Sequence, residues 1–198
     1  MSLAVYCAVT WMQDERAEIA RGLRRRDPSV LDRLIEQYQH RLFRYLMYLA
    51  GDRALAEDLF QETWLRVLEH GQLYDGKSPF ETWLFAIARH LLIDWLRHKS
   101  PASLDSLREP QEGGAAFEPV AAEASAYEVL AGREQEVQVA AAVAAVPAVY
   151  REVLMLRFQE DLKLEEIAAV VEAPLSTVKS RLYRGLGALK QQLGRSRA

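Results

Sequence analysis

Between Asp27-Pro28 and Gly51 the chain places Leu31, Leu34, Ile35, Tyr38, Leu42, Tyr45, Leu46 and Leu49 three or four residues apart. Only an α-helix turns such a run to one side. Asp27 is a capping residue, and Pro28 suits the first turn, where its missing N–H costs nothing. Gly51 supplies a stop. A single apolar stripe has to be buried against another element, and the next segments provide partners. Asp52 caps a second helix carrying Leu55, Leu59, Trp64, Leu65 and Leu68, with Gly71 as its stop. The two helices are expected to pair antiparallel. Gly71 to Lys77 reads as a loop. Ser78-Pro79-Phe80-Glu81 reads as a capping box opening a third helix, from Pro79 to about Lys99, which ends before Pro101 and buries Phe80, Leu84, Ile87, Leu91 and Trp95. Nothing alternates as a strand.

From Ser100 to about Ser125 the periodicity gives way to Pro, Gly, Ala, Ser and Glu, a linker composition. Helical periodicity resumes near Tyr127 and runs to Val146. Pro147 starts a helix with Val149, Val153, Leu154, Leu156 and Phe158, which Glu160-Asp161 breaks. A short helix (Leu164, Ile167, Ala168, Val171), a turn through Glu172-Ala173-Pro174 and a longer helix from Leu175 then form a helix-turn-helix. The expected fold is all-α: two small helical domains joined by a flexible linker, the C-terminal one containing the helix-turn-helix. The expected divisions are an N-terminal tail and lead-in (1–26), a first domain (27–99), an acidic linker (100–126) and a second domain (127–198). Two domains on such a linker are expected to move independently in the free chain unless an inhibitor holds them closed.

The single cysteine, Cys7, has no disulfide partner and no second thiolate for a metal site. His40, His70, His90 and His98 are scattered, so neither a metal nor a cofactor is expected. A reducing cytoplasm fits this usage. The apolar start MSLAVYCAVTW lacks a basic lead and meets Asp14, Glu15 and Arg16 at once, which makes it a poor signal peptide. Met12 is an alternative start. No run of about 18 apolar residues predicts a spanning helix.

A net charge of −3 argues against a nucleic-acid binder until its distribution is considered. Glu109 to Glu136 holds seven glutamates and one arginine, whereas Pro174 to Ala198 holds six basic residues and no acidic one. In the last helix Val178, Leu182, Leu186, Leu189 and Leu193 form one expected buried stripe. Thr177, Ser180, Arg181 and Arg184 are expected on the opposite side, with Lys179 at the flank. Arginine reaches guanine edges with two hydrogen bonds, while lysine, serine and threonine hold phosphates, and a helix N-terminus adds its amides. A solvated face on a core helix has the same composition.

Pro174-Leu175-Ser176-Thr177-Val178-Lys179-Ser180-Arg181-Leu182, preceded by Glu166-Ile167-Ala168, resembles the promoter-reading helix-turn-helix of extracytoplasmic-function sigma factors, within the sigma-70 family of RNA polymerase sigma factors. Ser176 stands where the family commonly has glycine. Val146-Pro147 and Arg151 to Arg157 resemble the first helices of the same domain. Ala56 to Leu65 resembles the polymerase-binding helix, so the resemblance implies core polymerase contacts from Glu57, Asp58, Leu59, Gln61, Glu62 and Leu65. Phe80 to His90 with Ile93 to Arg97 resembles the helix that engages the minus-10 element. The implied minus-10 contacts are Lys77, Trp83, Arg89, His90 and Arg97, an aromatic among cations that suits unpaired bases and phosphates. His90 stands where asparagine is common. The implied minus-35 contacts are Ser176, Thr177, Lys179, Ser180, Arg181 and Arg184. The resemblance covers roughly residues 27–99 and 127–193. It implies a cytoplasmic, non-enzymatic protein whose partners are core RNA polymerase, promoter DNA and an anti-sigma factor, with no membrane insertion of its own.

A helix-turn-helix regulator with a helical N-terminal sensing domain shares the C-terminal half. A phosphoacceptor domain is excluded by the helical first hundred residues. A hydrolase using Asp94 and His90 has no serine or cysteine beside the pair, and no glycine-rich phosphate loop occurs. Asp94 is expected to pair with a neighbouring arginine instead.

Overall fold

The structure, a computed structural model, describes residues 3–99 and 141–195, with residues 3–12 and 195 described by their backbone alone. The expected linker at 100–126 and the periodicity from Tyr127 to residue 140 lie outside the described residues. Among those described, the chain forms seven α-helices, a further helical stretch at 141–144 and one short 3-10 turn, with no strand. They are α1 (Leu3–Arg25), α2 (Pro28–Ala50), α3 (Arg53–His70), the 3-10 turn Gly71–Leu73, α4 (Phe80–Lys99), α5 (Ala148–Phe158), α6 (Leu164–Val171) and α7 (Leu175–Arg195). None of the described helices is long and apolar enough to cross a membrane.

The caps of α2 and α3 follow the sequence. Asp27 Oδ1 accepts from the Ser29 amide at 3.0 Å, and Asp52 Oδ1 from the Leu55 amide at 2.8 Å. Gly51 turns left-handed at φ 65°, and α2, α3 and α4 pack together. Gly71 departs from expectation, since its φ of −57° is right-handed and the chain runs on into the 3-10 turn. Its role is a close approach: a Cβ there would stand 3.1 Å from Leu23 Cβ on α1.

The N-terminal segment, expected as a tail, is the helix α1. Ile19, Ala20 and Leu23 are buried in the core, and α1 packs on α2 and the 3-10 turn. The helix ends with the Arg26 amide donating to Leu23 O and the Asp27 amide to Gly22 O, with Arg26 left-handed at φ 53°. Asp27 therefore closes one helix and caps the next. The arginines and acids around Ile19 and Leu23 obscure this stripe in the sequence.

α4 is buried on two sides. Phe80 and Leu84 are in the core as expected, while Ile87, Leu91 and Trp95 are only half-buried, and Phe85, Ala88, Arg89 and Leu92 are buried as well. The second side is covered by α6, and α2 touches α5. Val153, Leu156, Leu162, Ile167, Val170, Val171 and Val178 join the same buried cluster as Leu34, Leu42, Leu84, Phe85 and Leu92. The halves expected to move independently are thus packed on a common core. The physical reason is size: each half alone is near the limit at which a small unit can bury enough apolar surface.

α7 also departs in detail. Leu182, Gly185 and Leu189 pack against Tyr150 and Leu154 of α5, and Val178 joins the larger core, while Leu186 is 38 % exposed and Leu193 half-buried. Gly185 allows this rotation because a Cβ there would lie 3.1 Å from the Leu154 side chain. Phe158, placed on the α5 stripe by periodicity, is 63 % exposed at the helix end.

Replacing a glycine by alanine within a helix ordinarily stabilises it by about 0.5–1 kcal/mol. Gly22→Ala is expected to do the opposite, because the new Cβ would meet Val30 Cγ2 at 2.5 Å and Val30 Cβ at 2.9 Å. Overpacking of this kind costs about 1–3 kcal/mol. The midpoint of urea unfolding checks the sign, and a raised midpoint would refute the close packing of α1 on α2.

Candidate nucleic-acid interface

The helix-turn-helix is built by local hydrogen bonds. Glu166 Oε2 accepts from the Lys163 amide at 2.8 Å and opens α6. Glu172 closes α6 in the left-handed conformation at φ 50°, with the Ala173 amide donating to Ala168 O. A non-glycine residue there costs about 1–2 kcal/mol, so the surrounding packing imposes the turn. Pro174 then leads into α7. At the start of α7, Ser176 and Lys179 are exposed, Thr177, Ser180 and Arg181 half-buried, and Arg184 exposed, with its Nη1 donating to the Tyr150 hydroxyl at 3.4 Å. Arg181, expected on the outer face opposite the stripe, is half-buried. Tyr183, 73 % exposed, occupies that outer face instead. Sequence reasoning missed Tyr183 because its stripe was set one residue off, on Leu186.

On α3, Glu57, Asp58 and Gln61 are exposed and Glu62 is half-buried. Glu57 and Glu62 pair along the helix with Arg53 and Arg66 at 2.8 and 2.9 Å. Leu59 is 5 % exposed and faces the core, whereas Leu65 and Leu68 are 50 % and 45 % exposed beside the acids. Sequence periodicity put both on the apolar stripe. The outer face of α3 thus combines carboxylates with two leucines, a composition suited to a helical partner carrying arginines.

The groups expected to meet the minus-10 element have diverse surroundings. Lys77 is exposed and pairs with Asp75 at 2.7 Å, and this hydrogen bond holds its ammonium pKa above the usual value. Trp83 is half-buried, its ring centroid 5.4 Å from that of Tyr74 and 5.8 Å from that of Phe80. Arg97 is exposed and pairs with Asp94 at 3.3 Å, the structural pairing expected of Asp94. Arg89, an expected contact, is buried: its Nε donates to Glu152 Oε1 on α5 at 2.9 Å. His90 Nε2 lies 2.9 Å from Glu172 Oε1.

Further cross-contacts lie beside these. The Tyr45 hydroxyl donates to the same Glu152 oxygen at 3.0 Å, and burial together with the Glu152 charge holds the Tyr45 phenol well above its usual pKa. Glu160, its side chain fully buried, accepts from Arg41 Nε at 2.6 Å and from Arg44 Nη2 at 3.1 Å, while Arg41 also donates to the Glu160 carbonyl. The partners are 63 to 119 residues apart, and no spacing signal links such distant positions.

Residues 34–101 match the family described as Sigma-70 region 2, and residues 136–189 that described as Sigma-70, region 4. The chain is similar to three ECF RNA polymerase sigma factors of Bacillus subtilis (strain 168). It is 29 % identical to SigW over 169 residues, covering 84 % of this chain and 90 % of SigW. It is 30 % identical to SigX over 163 residues (81 % of each chain) and 32 % to SigM over 162 residues (81 % of this chain, 93 % of SigM). Among solved structures it resembles in fold the sigma factor RpoE crystallised with the anti-sigma factor NepR from Bartonella quintana, with a TM-score of 0.65 at 23 % identity, covering 82 % of this chain and 96 % of that one. CnrH in complex with the cytosolic domain of CnrY gives a TM-score of 0.61 at 18 % identity, covering 92 % of this chain and 97 % of that one.

Tyr74 ties the loop before α4 to its neighbours. Its hydroxyl donates to Ser78 O at 2.7 Å, and burial, with Glu81 and Asp75 nearby, pushes its phenol up to about 12. A phenol with a raised folded-state pKa binds its proton more tightly when folded. Its stabilising contribution is complete below about pH 10, the unfolded value, and is lost as the pH rises through about 12. Tyr74→Phe is expected to cost about 1 kcal/mol at pH 7 by removing the hydrogen bond and to lessen the loss of stability between pH 10 and 12. Urea unfolding at both ends of that range checks it, and an undiminished loss would refute the assignment.

Proposed function

This chain belongs to the extracytoplasmic-function sigma factors of the sigma-70 family, and on that premise we propose that it binds core RNA polymerase and directs it to promoters with a minus-10 and a minus-35 element. The observation that carries the reading is the order of its parts: a region 2 match containing α3 and α4 is followed by a region 4 match containing the helix-turn-helix. A sensing regulator accounts for the second match and leaves the first unexplained. Catalysis belongs to the polymerase, and the place of action is the cytoplasm.

In this reading 27–99 is the unit that binds polymerase and opens the minus-10 region, and 127–198 is the unit that grips the minus-35 duplex. α7 would enter the major groove with Ser176, Thr177, Lys179, Ser180, Arg181 and Arg184, joined by Tyr183 on the outer face. The basic end without a carboxylate supports this, since each phosphate contact releases counterions only where positive charge is local. The acids of α3 with Leu65 and Leu68 would face the polymerase, with Leu59 supporting them from the core. Lys77, Trp83, Arg89, His90 and Arg97 would meet the opened strand. The solved RpoE and CnrH structures contain NepR and the cytosolic domain of CnrY, and an anti-sigma factor is proposed here as well.

Run-off transcription on genomic fragments with purified core polymerase tests the reading. New promoter-dependent transcripts are expected only when the chain is added, and their absence refutes it. Arg181→Ala is expected to weaken minus-35 duplex binding by about 1–3 kcal/mol and relax sequence preference at one position. Unchanged affinity and preference in a gel-shift titration remove Arg181 from the reader set.

A further inference from the structure

Four arginines at the end of α1 stand outside both proposed DNA faces and outside the proposed polymerase face. Arg21, Arg24, Arg25 and Arg26 are exposed, and among the described residues no carboxylate forms an ion pair with any of them. Other exposed arginines are paired: Arg33 with Glu18, Arg53 with Glu57, Arg66 with Glu62 and Arg97 with Asp94. The neighbouring acids are already engaged. Glu18 is held by Arg33, and Asp27 Oδ1 accepts from the Ser29 amide and hydroxyl, with Arg25 a nearby charge and not a bonded partner. A helix C-terminus favours cations. Arg21 nevertheless repels Arg24 and Arg25 one turn further on, so the cluster exceeds what the helix end requires.

The cluster borders the loop before α4. A Cβ on Gly71 would lie 3.1 Å from Leu23 Cβ, and one on Gly76, which is left-handed at φ 76°, would lie 3.2 Å from the Arg16 carbonyl oxygen. Arg16 also sets its positive charge near Tyr74. α1 therefore lines the loop at both ends. With about 100° of turn per residue, Arg24 leaves the helix about 80° from Arg16 and Arg21 about 60° beyond it, so the two share the flank next to the loop. In chain order α4 leads through 100–126 to the unit proposed to grip the minus-35 duplex, so the loop at its other end lies toward the transcription start. We propose that Arg21 and Arg24, with Arg25 and Arg26 beside them, bind phosphates of the unpaired promoter strand between the minus-10 element and the start site. The inference rests on the function proposed above and adds a contact surface outside the region 2 match, which begins at residue 34. A guanidinium offers a phosphate two parallel N–H donors, and such backbone contacts hold a strand whatever its sequence.

The test uses holoenzyme assembled from core polymerase and the full chain, on a promoter recovered by run-off transcription. Two fork-junction DNAs share the minus-35 duplex and a single-stranded minus-10 element. In the short fork the unpaired strand stops there, and in the long fork it continues to the start site. Arg21→Gln with Arg24→Gln is expected to bind the long fork about tenfold more weakly than wild type, with a slope of log affinity against log salt smaller by about 1.4, as for two phosphate contacts on a single strand. Its binding to the short fork and to core polymerase is expected to match wild type. Arg21→Lys with Arg24→Lys keeps both charges and is expected to keep the salt slope. Arg24→Gln alone, with about half the change in slope, serves if the double variant does not fold. The proposal is overturned if the glutamine variant binds the long fork as wild type does, if both forks weaken equally, or if the lysine variant loses the slope too. Weakened binding to core polymerase also overturns it and assigns the arginines to the enzyme surface. Failure of the wild-type chain to support transcription overturns the proposed function instead, so the two failures are distinct.

Discussion

The carboxylate of Glu152 is the point through which the structure holds together. One of its oxygens accepts from Arg89 of α4 and from Tyr45 of α2, with 2 % of the glutamate side chain exposed. Around it Val153 and Leu156 continue the buried cluster from α2 and α4 into the helix-turn-helix half. Truncating one member of such a pair costs about 3–5 kcal/mol, whereas a well-packed apolar replacement of all members is often neutral. Glu152 therefore contributes register more than net stability: it fixes which face of α5 meets α2 and α4. The Glu160 pairs and the His90–Glu172 pair stand along the seam thus defined.

Much of the local structure was legible in the sequence. Asp27, Gly51 and Asp52 bound α2 and α3 as their chemistry requires, and the helix-turn-helix lies at Leu164–Val171 and Leu175–Arg195 around the expected turn. These features depend on neighbours within one or two turns. What escaped depends on contacts across the chain. Arg89 reads as a surface cation on α4, and its burial comes from a glutamate 63 residues away. Gly71 reads as a stop, and Gly185 has no role assigned from the sequence. Each is a close approach to another helix, against Leu23 and Leu154, and at Gly185 that approach rotates the whole face of α7.

The candidate site was legible in the same uneven way. Residue types and order placed the duplex reader on α7 and the acidic edge on α3, because composition alone distinguishes a basic face without carboxylates from an acidic one. The exposures of Leu65, Leu68 and Tyr183 were hidden, since periodicity counts apolar residues without knowing which side of a helix lacks a partner. A sigma factor has to present such groups to a polymerase and to DNA, so apolar surface left open on α3 and α7 is consistent with binding and not with a finished core.

The central claim is that the two halves share one core in the free chain. Native-state amide hydrogen exchange measures this directly, because elements of one cooperative unit open together. The claim predicts that the slowest amides of α6, at Ile167 to Val171, exchange with the same opening free energy and denaturant dependence as those of α4 at Phe85 to Leu92. Exchange of the α6 amides at a distinctly lower opening free energy, with α4 still fully protected, would contradict it.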